Sequence, residues 1–576
     1  MAPAHRLSPH ELISVINQAT LPNWSKTVLS KNRALNYSVL LLFFVLLAVV
    51  AYTNAINSFF LSDDFDLISG ICGSGPFGVW SRTHGGYFRP FISLSLFLDY
   101  KLWGLNPTGY HFTNIFIHSL NSFCVFLIAF LLINRTQLSI KGIWGLALFS
   151  GFIFLILPSH TEAVAWISGR TDLIATFFCL SSFCTYLLYK HYSKISHLLI
   201  SLLLFMSALL SKESVITYPL VILSYEFYGY IINEDNNRNP VQILYLPLTY
   251  CILLLLYLSI RYVAIGAIVG GYGVPVQHYF EFLRIFETLT YYSARTFLPY
   301  LPIEIKPILL SVKPIFFFFA GIAILFAVAV FLIKSTRRYL LRRIHGKIPK
   351  ILYFLIVGFF ISLVPVLPWG VSMTETEGER FIYLPSLFSS ILIVLLLHSI
   401  LQNKRYLVIL FICLSLFFGG TLYRSNENWR EAGTISKNIL ESIRRLGNAD
   451  RLFIINLPDN LNGAFIYRNG IRDAIRLFGS ADKFRDVIVV SYHNIYEKDE
   501  AVMVTRKGLD MYSVVLLNPQ TYFMSAVIPI QSTFVTKNFE ILDFRNNKYD
   551  LWLKDFDSRS DKLLFYSAGR VIKYLG

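Results

Sequence analysis

The sequence predicts an α-helical polytopic membrane protein with a small C-terminal α/β domain, and three observations carry that prediction. Only 15% of the 576 residues are charged against 55% hydrophobic, where a soluble domain has roughly 25% charged residues. The apolar residues fall in runs long enough to cross a hydrocarbon core, roughly 20 residues for about 30 Å, and the mean hydropathy is +0.54. From Arg424 onward the composition turns polar, with 22 Lys and Arg against 18 Asp and Glu. An ordinary soluble enzyme, a disordered chain and a nucleic-acid binder are excluded despite a formal net charge of +16. Most of that excess precedes residue 424, where loop Lys and Arg report orientation.

Residues 1–35 are polar and basic and lack the short apolar stretch and small-residue cleavage site of a signal peptide. The first apolar run, about 37–60, is therefore expected to be an uncleaved anchor with a cytoplasmic N-terminus. Further spans are expected at about 112–133, 141–157, 172–189, 196–211, 214–231, 243–266, 313–333, 351–367, 381–400 and 405–422. A weaker aromatic segment at about 285–301 carries Arg295. The loop 334–350, with Arg337, Arg338, Arg342 and Arg343 among its basic residues, should be cytoplasmic. Parity then keeps 285–301 from crossing and gives about eleven spans plus one interfacial or re-entrant segment. The chain divides into a cytoplasmic segment 1–35, a transmembrane domain 36–423 with an outer loop 61–110, and an extracytoplasmic domain 424–576. That last part has strand-like runs at Leu452–Ile455, Val487–Val490 and Val514–Leu517 and a helical stretch from Ile471 to Phe478. The six cysteines, five of them in apolar runs, form no disulfide framework.

Residues with chemistry cluster where this topology places the outer face. Asp63 and Asp64 directly follow the first span. Carboxylates at a membrane surface are solvated, paired or bound to a cation. These two could supply a general base for an acceptor hydroxyl or hold a divalent ion; a solvated acidic loop is the plainer alternative. Arg89 heads an amphipathic aromatic stretch and suits a phosphate by its planar fork, or simply anchors the interface. His111, Asn114 and His118 share one helical face, more in keeping with a hydrogen-bonded core than with a metal site. The turn from Pro158 carries His160, Glu162, Trp166 and Arg170, which could bind phosphate and stack on a sugar ring, or pair among themselves. Lys212-Glu213 and Glu379-Arg380 close the set, each pair a plausible local salt bridge. Chance snorkelling would scatter such charges over both faces, whereas the topology gathers them on one.

In that order and topology the segments Asp63-Asp64-Phe65, Tyr87-Phe88-Arg89-Pro90, Gly104-Leu105-Asn106-Pro107 with His111 and Asn114, His160-Thr161-Glu162 with Gly169-Arg170, Lys212-Glu213 and Glu379-Arg380 resemble the GT-C superfamily of polyprenyl-phosphate-sugar-dependent glycosyltransferases. The likeness is to protein O-mannosyltransferases and to TMTC-type O-mannosyltransferases, and covers roughly residues 55–400. It implies that Asp63 is the catalytic base, with Asp64 beside it. Arg89, Arg170, Lys212 and Arg380 would meet the carrier phosphate, and His111, Asn114, His160, Glu162, Trp166, Glu213 and Glu379 would line the pocket. A polyprenyl-phosphate-linked sugar is the implied donor; a lipid, glycan or protein is the acceptor, and transfer inverts the anomeric carbon. No cofactor is required by this reading, and a divalent cation at Asp63 and Asp64 stays open. Leu157 stands where TPR-bearing relatives often have a histidine, and an α/β domain follows in place of a TPR array. The competing classes are a transporter or flippase of lipid-linked sugars and a non-catalytic membrane scaffold.

Overall fold

The computed structural model describes residues 31–298 and 348–573 apart from 73, 82, 85, 137, 233–240, 269–281, 402, 480 and 525–532. The N-terminal segment through residue 30, the expected span 313–333 and the basic loop through residue 347 lie outside the described residues.

The helices follow the apolar runs. They are α1 (Lys31–Ala51), α2 (Asp63–Ile71), α3 (Pro76–Trp80), α4 (Pro90–Trp103), α5 (Pro107–Ile133), α6 (Ile140–Ile156), α7 (Thr161–Ala165) and α8 (Arg170–Tyr192). After these come α9 (Ile195–Leu209), α10 (Tyr218–Ile232), α11 (Gln242–Ile265), α12 (Phe282–Phe297), α13 (Ile348–Leu363), α14 (Ser386–Ile400), α15 (Lys404–Arg444) and α16 (Ile471–Leu477). Their starts are written in the sequence. Asn106 caps α5 by accepting from the Thr108 N–H at 3.2 Å, with Pro107 at the first position, and Asn403 caps α15 through the Arg405 N–H at 2.9 Å. By length and hydropathy four helices among the described residues can cross a membrane: Pro107–Ile133, Ile167–Tyr192, Gln242–Ile265 and Arg405–Arg444. A fifth is available if α6 and the segment Pro158–Ala165, bent by 56°, form one broken span. The first two are largely buried within the bundle, and the 242–265 and 405–444 spans are largely exposed, as lipid-facing helices should be.

Two features go beyond what the sequence shows. The segment read at about 285–301 is helical as α12, and it braces a loop: the Tyr292 hydroxyl donates to the carbonyls of Val366 (3.0 Å) and Gly370 (2.8 Å), and Arg295 Nε donates to the Ser372 carbonyl at 3.1 Å. The domain boundary expected at 423/424 falls inside α15, an unbroken helix of 41 residues, and the sheets begin only at Ala449.

In the loop after α3, β1 (Thr83–His84) pairs antiparallel with β2 (Tyr87–Phe88), and beyond α15 stand two sheets. β3 (Ala449–Leu461), β4 (Ala464–Phe465), β5 (Phe484–Ile495), β8 (Phe523–Met524), β12 (Lys562–Ser567) and β13 (Arg570–Lys573) make a mixed sheet of order β13-β12-β3-β5-β8, with β4 paired to β3. β3 runs parallel to both neighbours, with Leu452 opposite Val487 and Phe453 opposite Leu563. β6 (Val502–Gly508), β7 (Met511–Leu516), β9 (Phe534–Val535), β10 (Phe539–Arg545) and β11 (Lys548–Leu553) form an antiparallel sheet of order β6-β7-β11-β10-β9. The unbroken apolar run Leu452–Ile455 marks a strand covered on both faces. Phe453 and Ile455 pack with Val514 and Leu551 of the second sheet, and Leu452 and Ile454 pack with Ile435 and Ile439 of α15. That second cluster continues without a break into Phe60, Phe65 and Ile68 around α2, so the α/β domain and the acidic loop share one core.

Candidate functional site

The site begins where the chain leaves α1. Residues 51–60 run beside α15: the Asn54 side chain donates to the Tyr423 carbonyl (2.9 Å), Ser58 Oγ to that of Trp429 (3.0 Å), and Ser436 Oγ reaches the Phe60 carbonyl (2.9 Å). The path then turns at Ser62, whose φ of +46° is unfavourable for a residue with a β-carbon. It is held there because its N–H donates to the Ile466 carbonyl at 2.9 Å and its hydroxyl accepts from the Asn469 N–H at 3.3 Å. Immediately after this turn α2 starts, with the two aspartates.

The neighbours part company. Asp64 points inward, accepting from the Ser168 N–H (2.8 Å) and hydroxyl (2.5 Å) on one oxygen and from the Leu61 N–H (2.9 Å) on the other. Burial pushes its carboxyl up to about 7, against the pull of those donors. Asp63 is half-buried, and its Oδ1 accepts from the Asn469 side-chain amide at 2.9 Å. A cation shared by the pair would need both carboxylates turned to one point, and Asp64 is spent on Ser168 and Leu61. Among the described residues no group of three or more His, Cys, Asp or Glu could hold a metal ion.

Each predicted cation has a carboxylate partner. Arg89 pairs with Glu213 at 2.6 Å and stacks over Tyr87, and Arg261 meets the other oxygen of Glu213 at 2.5 Å. Burial alone would raise the Glu213 carboxyl, but Arg89 and Arg261 hold it below its ordinary value. Lys212 pairs with Asp172 at 2.5 Å, and Glu379 with Arg295. Arg170, fully buried, meets Asp99 at 2.5 Å, the Asn114 side-chain oxygen at 2.8 Å and the Tyr110 carbonyl at 2.9 Å. Arg380 pairs with Glu162 at 2.6 Å, and its guanidinium lies over the rings of Trp166, Phe381 and, from β4, Phe465.

These pairs are joined into one assembly. Asn114 donates to the Trp166 carbonyl (3.0 Å), and the Trp166 indole N–H reaches toward the Leu61 carbonyl (3.4 Å), so the turn after α7 ties Arg170 to the aspartate loop. Lys212 lies over the same Phe381 ring as Arg380. His111 contacts the Ser58 carbonyl at 3.1 Å and His160 the Ser386 hydroxyl at 2.7 Å, so both serve the packing behind the site. His118, which shares the His111 face, bonds the Tyr383 hydroxyl at 2.7 Å. Buried Arg170 and Lys212 are neutralised in place, whereas Arg89 and Arg380, also paired, keep partial exposure.

Sequence reasoning missed the α/β domain's share. Arg468 bridges Glu377 (2.6 Å) and Asp459 (2.8 Å), the Thr376 N–H donates to the Asn462 carbonyl (3.2 Å), and Asn469 bonds Asp63. The turn residues 468–470 were the visible signal, but nothing local shows what such a turn will touch. Asp99 was masked by the apolar stretch around it.

No established family profile matches the chain. Among curated proteins it is similar to protein O-mannosyl-transferase Tmtc1 of Drosophila melanogaster, 34% identical over 190 residues, which are 30% of this chain and 21% of that protein. It is likewise similar to protein O-mannosyl-transferase TMTC1 of Homo sapiens, 32% identical over 175 residues, 28% of this chain and 19% of the relative. The chain thus spans about a fifth of the length of these relatives. A solved structure of ArnT from Cupriavidus metallidurans bound to undecaprenyl phosphate aligns with 88% of this chain and 97% of its own at 12% identity, with a TM-score of 0.41, too loose a likeness to assign a fold. What the curated relatives bear out is the resemblance carried by the motifs: the chain is similar in sequence to protein O-mannosyl-transferases of the TMTC type.

Proposed function

We propose that the protein is a multi-pass membrane glycosyltransferase that moves a monosaccharide from a polyprenyl-phosphate carrier to an acceptor hydroxyl at the outer face. The observation that carries this reading is Asp63: a half-exposed carboxylate with no ion-pair partner among the described residues, set beside an assembly that holds two partly exposed arginines. An acceptor hydroxyl has a pKa far above 7, so its proton must be taken as it attacks. Asp63 takes it, the acceptor oxygen bonds to the anomeric carbon, and the bond from that carbon to the phosphate oxygen breaks on the opposite face, inverting the centre. The electron pair stays on the departing polyprenyl phosphate, whose charge Arg89 and Arg380 stabilise where water is scarce. Asp64 is the structural partner that anchors the start of α2. The names of the curated relatives make mannose the first donor sugar to test and a protein hydroxyl the first acceptor.

The test is transfer in proteoliposomes supplied with a panel of polyprenyl-phosphate sugars headed by mannose, read as released carrier phosphate. Wild-type protein should turn over a member of the panel, and Asp63→Asn should lose about 10²–10⁴-fold. Wild-type turnover by Asp63→Asn removes the role assigned to that residue.

A further inference from the structure

Asn469 is exposed, yet its surroundings leave it no freedom. It sits in the turn Arg468-Asn469-Gly470 ahead of α16, 406 residues away from Asp63 in sequence, and its side-chain amide donates to Asp63 Oδ1 at 2.9 Å. An exposed amide on a loose loop would exchange such a partner for water. Here the backbone on both sides is fixed. On one side Tyr467 stacks on Phe65 of α2 with ring centroids 5.6 Å apart, and Arg468 is held by Asp459 and Glu377. On the other, Gly470 has a φ of +82°, and a β-carbon placed there would stand 2.4 Å from the Ser62 carbonyl. The same Ser62 receives the Asn469 N–H and donates to Ile466. Four residues of this turn, Ile466, Tyr467, Asn469 and Gly470, therefore hold the residues that open α2.

What this grip delivers to Asp63 is a neutral N–H donor. A cation in the same place would draw the carboxylate into an ion pair and weaken it as a base. An amide carries no proton that it can surrender, so it fixes the direction of Oδ1 and leaves Oδ2 for an incoming hydroxyl. Correct placement of a reacting group is worth much in rate: a displacement of about 1 Å can cost about 100-fold.

We propose that Asn469 is a positioning residue for the Asp63 carboxylate, which makes the C-terminal α/β domain a working part of the transfer site. The inference rests on the reading of Asp63 as the base. It is tested in the full chain, in proteoliposomes, with the polyprenyl-phosphate sugar that the wild type turns over. Asn469→Ala and Asn469→Asp, the latter of like shape but facing Asp63 with a second carboxylate, should each lower kcat about 10- to 100-fold at unchanged donor KM. Asn469→Gln, which keeps the amide, should recover part of the rate. Protease resistance at the 461–470 connection should match wild type in all three variants. Wild-type kcat in Asn469→Ala overturns the proposal, as does a loss confined to donor KM. A loss of kcat accompanied by new protease cleavage also overturns it, because the residue would then serve docking alone. Asp63→Asn run in parallel separates the two levels: if it transfers at the wild-type rate, the reading of the base fails; if it is inactive while Asn469→Ala is normal, only the present inference fails.

Discussion

Asp63 and Asp64 show how far one peptide bond can separate two carboxylates. A dipeptide gives no hint of which side chain turns in. The start of α2 decides it, by directing Asp64 into the Leu61 and Ser168 donors and Asp63 toward Asn469. The consequence for Asp64 is a folded-state carboxyl pushed up to about 7 by burial, above its unfolded value of about 3.9. Between those two values the unfolded chain has released the proton and the folded chain still holds it, so stability falls as pH rises through that window and levels off above it. Thermal unfolding in detergent at pH 5 and pH 8 should therefore show a fall that is smaller in Asp64→Asn. At pH 5 the same variant should itself melt earlier than wild type, because an amide NH₂ then faces a backbone N–H; a buried unmet donor costs about 1–3 kcal/mol. Equal pH slopes in the two proteins would contradict the assignment. The cationic side chains carried more information in sequence than the aspartates did. Arg89, Arg170, Lys212 and Arg380 were recognisable as one set because charge is costly near lipid; Asp99, which pairs with Arg170, and Arg261 and Arg295, which pair with Glu213 and Glu379, lay in apolar or aromatic stretches, and only folding reveals those pairs.

The elements follow the same division. Apolar runs located the described helices, although the first ends at Ala51 where the run was expected to reach about 60, because a helix in lipid must satisfy its own backbone. The same signal could not show that buried Tyr292 and Arg295 of α12 bind carbonyls of the 366–372 loop, nor reveal that α15 runs past the change in composition at Arg424. A helix that leaves the bilayer changes its residues without changing its hydrogen bonds. The junction of α2, the turn 468–470 and α16 is likewise a matter of close approach. Gly470→Ala should force the turn off Ser62, since the positive φ alone costs roughly 1–2 kcal/mol for a residue with a β-carbon and the new atom overlaps a carbonyl. Limited proteolysis should then cut between β4 and α16, where the wild type resists; unchanged protection would show that the contact is dispensable.

For the molecule as a whole, the decisive fact is the continuous apolar cluster joining α2, α15 and the inner face of the mixed sheet. Two-part composition made a membrane portion and a separate domain legible. It could not show that Trp429, Tyr467 and Phe65 belong to one core, because residues so far apart in sequence meet only through tertiary packing. A chain cut after residue 423 should accordingly expose the apolar face of α2 and leave detergent extraction as aggregates on size-exclusion chromatography. A monodisperse peak would mean that the bundle is self-sufficient.

One consequence of α15 reaches beyond stability. As a single rod of 41 residues it is about 60 Å long, and it has no joint between the lipid and the sheets. It acts as a gauge, fixing both the height and the compass bearing of Asn469. Inserting one residue near Gly420 would lift everything beyond by about 1.5 Å and swing it by about 100°, carrying the amide off its aspartate.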